Sequence, residues 1–311
     1  MNIIITGGCG FIGSNLVRKL SKNKTNNIVV IDNLSSGKLD FIKEELKLPN
    51  VNFIKKDLLK DDLDECFCKA KQIWHLAANP DVKSSTIKRK DVFEQNVIVT
   101  NNVLEQAKKQ KIEKFIFAST STIYGIAKQM PTKEDYGPLK PISIYGATKL
   151  CSEAMICAYS SLYSFRSFIF RFANVVGLNS THGVIYDFVT KLKKNPKELE
   201  ILGDGNQIKS YIYCDDCIDA MILGVKKANN NVNIFNIGTE NWTQTRKIAD
   251  IISSLMNLKP KYIYAGGKQG WAGDVPKMML DISKLKKLRW IPKYSSDDAV
   301  KIATEKLIKD C

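Results

Sequence analysis

Histidine is scarce in this chain, and long apolar runs are absent. Only two histidines occur in 311 residues, which disfavours a zinc site even though Cys214 and Cys217 form one Cys-x-x-Cys pair. No apolar run reaches eighteen residues, so a membrane-spanning helix is excluded. The sequence opens on an apolar strand pattern with no segment for a secretory signal, and its eight cysteines are scattered. We therefore expect a cytoplasmic protein with no metal and no membrane partner.

Acidic residues are also in the minority. The chain has 32 Asp and Glu against 47 Lys and Arg, which gives a formal net charge of +15. Such an excess attracts polyanions. The basic residues are mostly lysines spread along the whole chain, so the charge predicts a general attraction for anionic nucleotides and no nucleic-acid partner.

The first thirteen residues carry the most informative pattern. The apolar stretch 3–5 leads into Gly7, Gly10 and Gly13, and a helical pattern follows at once. Glycines at this spacing allow a tight turn, close backbone approach to a pyrophosphate and close packing of helix on strand. Asp32 ends the next apolar run, where a carboxylate would hold a ribose 2′-hydroxyl and repel a 2′-phosphate. The pattern predicts a dinucleotide-binding turn that takes NAD rather than NADP.

Strand patterns recur about every 25 to 30 residues in the first half of the chain, with helical patterns between them. The strands are expected at 3–5, 28–31, 51–54, 73–76, 115–118 and 168–170, and two of the helices at 92–109 and 145–163. This alternation predicts an α/β fold with a doubly wound, Rossmann-like parallel sheet. We expect an NAD-binding domain over 1–172, to which a segment near 208–240 returns, and a smaller mixed α/β substrate domain over 173–311.

A candidate general base follows from Tyr145 and Lys149, which lie four residues apart on a predicted helix and so share a face. A lysine cation beside a phenol favours the phenolate, which lowers the phenol pKa from about 10 towards neutral. Hydroxyl residues at 119–122 follow the strand 115–118, at the edge where open α/β sheets place ligands. These features together indicate proton transfer beside a dinucleotide.

The combined motifs resemble the extended short-chain dehydrogenases/reductases, specifically their NAD-dependent nucleotide-sugar epimerase and dehydratase branch. The resemblance covers essentially the whole chain. Its further motifs are D-N-L-S-S-G at 32–37, H-L-A-A at 75–78, S-T-S-T-I-Y-G at 119–125, R-F-A-N-V-V-G at 171–177, G-D-G at 203–205 and A-G-D-V-P at 272–276.

The resemblance implies a set of cofactor-binding residues. These are Gly7, Gly10, Phe11, Ile12, Gly13, Asp32, Asn33, Ser35, Ser36, Gly37, Asp57, Leu58, Leu76, Ala77, Ala78, Asn96, Ala118, Tyr145 and Lys149. Asp57 and Leu58 would contact adenine, and Asn96 would shape the sheet near the nicotinamide. A helix cap at Asp57 and a satisfied buried amide at Asn96 are the alternative interpretations.

The resemblance also implies a homodimer and a nucleotide-sugar substrate. The substrate residues would be Thr120, Ser121, Thr122, Tyr145, Asn174, Gln207, Lys209, Tyr211, Trp271, Asp274 and Met278. Lys209 and Trp271 stand where the family often has arginine. Lysine neutralises a phosphate without a bidentate fork, and tryptophan can only stack on a sugar or base. Met278 falls where related epimerases carry a gatekeeper for the C2 substituent, and simple core filling is the alternative.

Two hydroxyl residues distinguish between the reactions of this branch. In the family, Tyr145 would take a proton from a sugar hydroxyl, Thr120 would hold that oxygen and Lys149 would complete the catalytic set. Related dehydratases continue with an Asp-Glu pair, but here Ser121 and Thr122 follow, and neither is a useful acid or base near neutral pH. We expect C4 epimerisation, with UDP-glucose and UDP-galactose as substrates, through a transient 4-keto sugar.

Several alternatives stay open. Within the branch they are a 4-epimerase for UDP-glucuronate or UDP-N-acetylhexosamine, a nucleotide-sugar dehydratase and a reductase. Outside it, the chain could be a non-catalytic NAD- or RNA-binding module. The intact set of Thr120, Tyr145 and Lys149 disfavours the last of these, because a binding module has no use for it.

Overall fold

The computed structural model describes residues 1–310, which form two compact units. Unit 1 comprises Met1–Thr120, Ile144–Arg171 and Met221–Phe235, and unit 2 comprises Ser121–Ser143, Phe172–Ala220 and the chain from Asn236 onward. The predicted domain division at residue 172 stays a prediction. The compact units differ from it because 121–143 pack with the second unit and 221–235 with the first.

The elements of the first half alternate between strand and helix. They are β1 (Asn2–Thr6), α1 (Phe11–Leu20), β2 (Asn27–Asp32), β3 (Val51–Lys55), β4 (Gln72–His75), α2 (Arg89–Phe93), α3 (Val99–Lys109), β5 (Lys114–Thr120), α4 (Ile144–Tyr163) and β6 (Arg166–Phe172). A π-helical turn, Glu94–Ile98, joins α2 to α3. Short 3₁₀ turns occupy Leu39–Ile42, Glu45–Lys47, Glu65–Phe67, Ser84–Thr86 and Ser121–Tyr124.

Shorter strands dominate the second half. The elements are β7 (Asn174–Val176), α5 (Val184–Lys194), β8 (Glu198–Ile201), β9 (Ile208–Lys209), β10 (Tyr211–Tyr213), α6 (Cys214–Lys227), β11 (Val232–Ile237), β12 (Thr243–Gln244), α7 (Thr245–Leu255), β13 (Lys261–Tyr264), β14 (Lys277–Met278), α8 (Ser283–Lys287) and α9 (Ser296–Asp310). Across residues 1–310, no helix combines the length and apolar character that a membrane crossing needs.

One seven-stranded sheet has the order β11-β6-β5-β4-β1-β2-β3. Parallel ladders join β1 to β2 and β4, β2 to β3, and β4 to β5. The strand order reverses between β1 and β4, and open α/β sheets bind ligands in the crevice at such a reversal. The prediction of an α/β, Rossmann-like fold is confirmed.

Burial explains why the central strands are continuously apolar. Ile3, Ile4 and Ile5 are all at most 2% exposed, as expected for a parallel strand covered on both faces. The core of unit 1 joins this sheet to α3 and α4 through residues such as Leu104 and Ile156. This packing fixes α4, which carries the candidate catalytic side chains.

Unit 2 has a separate core and three small sheets. The strand pairings are β10 with β7, β12-β9-β14, and β13 with β8. The core includes Phe188 and Leu192 of α5, Ile252 of α7 and Val300 of α9. In the three-stranded sheet, β9 carries Lys209 and β14 carries Met278, both of which are predicted substrate residues.

Candidate active site

The glycine turn between β1 and α1 fits against the end of β4. Gly7 has a φ of +69°, and a Cβ there would lie 2.6 Å from the backbone nitrogen of Ala77. A Cβ at Gly13 would lie 2.1 Å from the carbonyl oxygen of Gly7. Gly10 precedes α1, and its N–H donates to that same oxygen at 3.1 Å. The absence of side chains at these glycines leaves the backbone of the turn open to a ligand. A dinucleotide pyrophosphate requires such an open backbone, so these residues fit NAD.

The neighbouring cofactor candidates follow from this turn. Phe11 and Ile12 are the first two residues of α1, where backbone N–H groups have no partner within the helix. Leu76, Ala77 and Ala78 directly follow β4 and are partly buried. The structure therefore brings the N-terminus of α1 and the end of β4 together around the glycine turn.

Asp32 joins the glycine turn to the loop after β2. Its buried carboxylate accepts the N–H of Cys9 at 3.0 Å and the N–H of Leu34 at 2.8 Å. Gly37 completes the contact, because a Cβ there would lie 2.8 Å from the carbonyl carbon of Cys9. Two carboxylate oxygens retain further lone pairs, so the contact with a ribose hydroxyl stays a prediction. Asn33, Ser35 and Ser36 are exposed on the same loop.

Asp57 and Leu58 have structural partners of their own. The Asp57 carboxylate accepts the N–H of Leu59 at 2.9 Å, so it caps the turn after β3. Leu58 is 6% exposed and belongs to the core of unit 1. Both residues are positioned by the fold itself, and their contact with adenine stays a prediction.

Asn96 has the geometry of a satisfied buried amide. Its Oδ1 accepts the N–H of Asn79 at 2.7 Å, and its Nδ2 donates to Thr148 Oγ1 at 3.0 Å. Asn96 is 2% exposed and lies in the π-helical turn. It therefore ties the segment after β4 to α4, and any role beside the nicotinamide stays a prediction.

The three predicted catalytic residues meet at the end of β5. Thr120 is the last residue of this strand, and its side chain hydrogen-bonds the Tyr145 phenol at the start of α4. Lys149 lies one turn further along α4 and is 3% exposed. Its Nζ donates to the carbonyl oxygen of Ala118 at 2.9 Å and lies 4.6 Å from the centroid of the Phe117 ring.

The pKa of the Tyr145 phenol differs from the sequence expectation. Burial raises it to about 12, and the hydrogen bond from Thr120 offsets only part of that effect. The expected lowering by Lys149 is wrong for this structure, because the ammonium group is directed at the Ala118 carbonyl and the Phe117 ring. Burial also lowers the pKa of Lys149 to about 7, against the opposing effect of the Glu153 carboxylate. Desolvation therefore disfavours both charged forms.

Glu153 belongs to this arrangement, although the sequence predictions do not include it. Arg171 Nη2 donates to Glu153 Oε2 at 2.7 Å, and Arg171 Nε lies 3.1 and 3.2 Å from the two carboxylate oxygens. The Ser119 hydroxyl donates to Oε1 of the same carboxylate. The available signal was the repeated spacing of four residues from Tyr145 to Lys149 to Glu153, which places all three on one face of a helix.

In unit 2, Lys209, Trp271 and Asp274 form one cluster. Lys209 Nζ lies 2.5 Å from Asp274 Oδ1 and 5.4 Å from the centroid of the Trp271 ring. The N–H of Gly270 donates to the other Asp274 oxygen at 3.1 Å. The single cation that the sequence assigned to the substrate phosphates is therefore already paired with a carboxylate.

Gln207 and Met278 flank this cluster. Met278 is 8% exposed and is the ladder partner of Lys209 between β14 and β9. Gln207 is 4% exposed. Among residues 1–310, both polar atoms of its side chain and the indole nitrogen of Trp271 lack a hydrogen-bond partner. Buried polar groups in proteins are nearly always paired, so these three atoms indicate a site for a polar ligand.

The remaining substrate candidates occupy two other places in unit 2. Tyr211 is 5% exposed, and burial together with the Asp274 charge raises the pKa of its phenol. Asn174 is the ladder partner of Tyr211 between β7 and β10. Ser121 and Thr122 lie in the 3₁₀ turn Ser121–Tyr124, which contains no carboxylate.

The sheet order, the glycine turn and the Thr-Tyr-Lys set define a dinucleotide-dependent enzyme of the short-chain dehydrogenase/reductase class. Residues 3–238 match the model of the NAD dependent epimerase/dehydratase family. The chain belongs to this family, which confirms the predictions of an NAD-dependent enzyme of epimerase type and of NAD as its cofactor.

Solved structures of high similarity span the whole chain. A UDP-galactose 4-epimerase is 39% identical with a TM-score of 0.90, and the alignment covers 100% of this chain and 99% of the other. A UDP-glucose 4-epimerase from Thermotoga maritima, solved with UDP-glucose, is 31% identical with a TM-score of 0.89 and the same coverage. A UDP-glucuronic acid 4-epimerase from Bacillus cereus, solved with UDP-glucuronic acid and NAD, is 28% identical with a TM-score of 0.92 and 100% coverage of both chains.

Proposed function

We propose that this protein is an NAD-dependent C4 epimerase of nucleotide sugars that interconverts UDP-glucose and UDP-galactose. The observation that carries the proposal is the hydrogen-bonded pair of Thr120 and Tyr145, with Lys149 on the same helix and Ser121 and Thr122 directly after Thr120. The set supplies the groups for oxidation and reduction at one carbon. It lacks the acid pair that a second reaction at the sugar would use.

The roles of the side chains follow from their chemistry. Tyr145 takes the proton of the sugar 4-hydroxyl, and Thr120 holds the same oxygen through its hydroxyl. NAD, held by the glycine turn, would accept the hydride from C4 and return it to the opposite face of the same carbon. After the 4-keto sugar turns its other face, Tyr145 returns the proton to the oxygen. The C4 configuration is inverted without net oxidation.

Dehydration is disfavoured by the residues after Thr120. It needs a base for the C5 proton and an acid for the departing C6 hydroxyl. Ser121 and Thr122 offer neutral hydroxyls, which supply neither at neutral pH. The simplest remaining reaction of the 4-keto sugar is then return of the hydride to C4.

We propose that unit 2 binds the nucleotide part of the substrate. The unpaired amide of Gln207 and the unpaired indole N–H of Trp271 support this, since a polar ligand would remove their desolvation cost. Lys209 is the candidate phosphate contact and would have to leave Asp274 or act beside it. The solved relatives bound to UDP-glucose and UDP-glucuronic acid support a UDP-sugar as this ligand.

The test is a product analysis with purified protein, NAD and a panel of UDP-glucose, UDP-galactose, UDP-glucuronate and UDP-N-acetylglucosamine. We expect C4 epimers, fastest with the first two sugars, and turnover lowered by ~10²–10⁴ in Tyr145→Phe as the matched control. In deuterated water, the C5 and C6 positions should remain unexchanged. A stable 4-keto-6-deoxy product, or deuterium at C5, would move the assignment to a dehydratase.

A homodimer is proposed as well. Phe93 of α2 and Leu162 of α4 are exposed apolar side chains, which an interface through these helices would cover. Sedimentation of the purified protein should give twice the mass of one chain, and a monomer at micromolar concentration would contradict the proposal.

A further inference from the structure

We propose that Glu153 is a positioning residue that keeps the Lys149 side chain protonated and holds the end of β5 in place for Thr120. The inference rests on the proposed function, because it assigns a task to Lys149 in proton transfer. It is carried by the buried contacts of the Glu153 carboxylate with Ser119 of β5 and Arg171 of β6, and all three residues lie within unit 1.

The carboxylate is held rigidly on two sides. Arg171 of β6 binds both oxygens through its guanidinium fork, and the exposed fractions of Arg171 and Glu153 are 4% and 3%. The Ser119 hydroxyl of β5 donates to the same carboxylate. A bidentate buried pair with an additional hydrogen bond is the arrangement that retains an ionised carboxylate away from water.

The surroundings of Lys149 make an anion at this position useful. Its own helix carries Tyr145 and Glu153 one turn away on either side. The facing strand β5 contributes the Phe117 ring and the carbonyl of Ala118. These neutral contacts do not supply the countercharge that a buried ammonium needs.

The other titratable neighbour of Lys149 lies on β4. Burial lowers the pKa of His75 to about 3, so this ring is neutral near pH 7 and neither repels nor attracts the ammonium strongly. The Glu153 carboxylate is therefore the group that opposes the loss of the Lys149 proton on burial. Its removal should lower the pKa of Lys149 further below about 7, so that the side chain is largely neutral at neutral pH.

The same carboxylate also fixes the strand that ends in Thr120. Ser119 directly precedes Thr120, and its hydroxyl is bound to Glu153. One residue of α4 thus sets the position of the β5 terminus and the charge of Lys149.

The test compares variants that separate charge from shape. Glu153→Gln removes the anion and retains the side-chain size. Glu153→Gln alone leaves the buried Arg171 guanidinium unpaired, which can unfold the protein. The double variant Glu153→Gln with Arg171→Met removes both charges and so avoids this destabilisation. Ser160→Ala is the matched control, because this fully buried residue of α4 donates to the Phe165 carbonyl at 2.6 Å and lies two turns beyond Glu153.

The first readout is the pH profile of kcat. Its alkaline limb reports loss of the Lys149 proton, so Glu153→Gln should move the limb to lower pH. The double variant also removes the Arg171 cation that repels Lys149, so its shift should have the same direction and be smaller. We expect a downward shift of roughly one to two pH units for Glu153→Gln, the effect of removing a nearby unit charge at an effective dielectric constant of about 20. The limb should stay in place in Ser160→Ala. In Glu153→Asp, which retains the anion, it should lie close to its position in the unmodified protein.

The second readout needs neither NAD nor substrate. The Lys149 pKa in the folded protein lies below the value of 10.5 for a free lysine, so the unfolded chain binds more protons between the two values and stability rises with pH there. The difference in unfolding free energy between proteins with Lys149 and with Lys149→Met should therefore begin to change near pH 7. With Glu153→Gln in both, this change should begin at lower pH.

The two readouts distinguish the possible failures. An unchanged onset of the stability difference, in Glu153→Gln and in the double variant, would overturn the inference whatever the activity shows. A shifted onset in a protein that epimerises no sugar would retain the inference about Lys149 and reject the proposed function. A loss of stability equal to that of Ser160→Ala with no shift of either curve would assign Glu153 a purely structural role.

Discussion

Two glycine-to-alanine substitutions in the glycine turn distinguish effects on stability from effects on cofactor binding, because each adds one methyl group at a different place. In Gly13→Ala, the new Cβ would lie 2.1 Å from the carbonyl oxygen of Gly7 and 2.7 Å from Cα of Gly8. Both neighbours are backbone atoms, so the turn and α1 must move apart. Overpacking of this kind costs about 1–3 kcal/mol. We expect the unfolding free energy of Gly13→Ala to fall by that amount and NAD binding to be lost with the geometry of the turn.

Gly10→Ala is the matched comparison in the same turn. Its Cβ would meet only the Gly7 carbonyl oxygen, at 3.3 Å, and its φ of −80° suits alanine. Alanine is a poorer helix N-cap than glycine, which lowers the free energy of unfolding. It also makes the unfolded chain less flexible, which raises the free energy of unfolding by a comparable amount. We therefore expect the net change to be less than about 0.5 kcal/mol. The methyl group nevertheless covers the backbone that a pyrophosphate must approach. A loss of about 1–3 kcal/mol there weakens NAD binding roughly five- to 150-fold.

The assay combines urea unfolding with calorimetric titration of NAD. The urea midpoint should fall for Gly13→Ala at constant m-value and remain near that of the unmodified protein for Gly10→Ala. Unchanged NAD affinity in Gly10→Ala would refute the assignment of this turn to the pyrophosphate. An unchanged midpoint in Gly13→Ala would refute the argument from close packing.

Three further predictions concern the proposed roles of single residues. Tyr145→Phe should lower turnover by ~10²–10⁴ because it removes the general base, and Thr120→Ala should lower it less; near-full activity of Tyr145→Phe, measured by coupled assay, would contradict the mechanism. Asp32 should make the protein retain NAD in preference to NADP, and comparable occupancy of both, determined by chromatography of the released cofactor, would contradict that. Met278→Ala should raise the low rate on UDP-N-acetylglucosamine relative to UDP-glucose, and equal rates of the unmodified enzyme on both sugars would rule out a gatekeeper.

The sequence alone determined the fold and the cofactor turn, because both depend on local patterns. A strand that is buried on both faces must be apolar throughout, as Ile3, Ile4 and Ile5 are. The glycines at 7 and 13 leave no room for side chains, so their identity is dictated wherever this turn occurs. The spacing of Tyr145 and Lys149 placed both on one helical face without knowledge of any partner.

Only the tertiary structure decided the electrostatics of the site and the partners of its polar groups. Proximity along a helix predicted that Lys149 would lower the pKa of Tyr145, but burial raised it to about 12 and the ammonium turned to β5. The partners of Glu153 and Asp274 come from distant positions, Arg171 and Lys209, which no local spacing relates to them. A pKa depends on which groups exclude water and which charges approach, and both are properties of the folded chain.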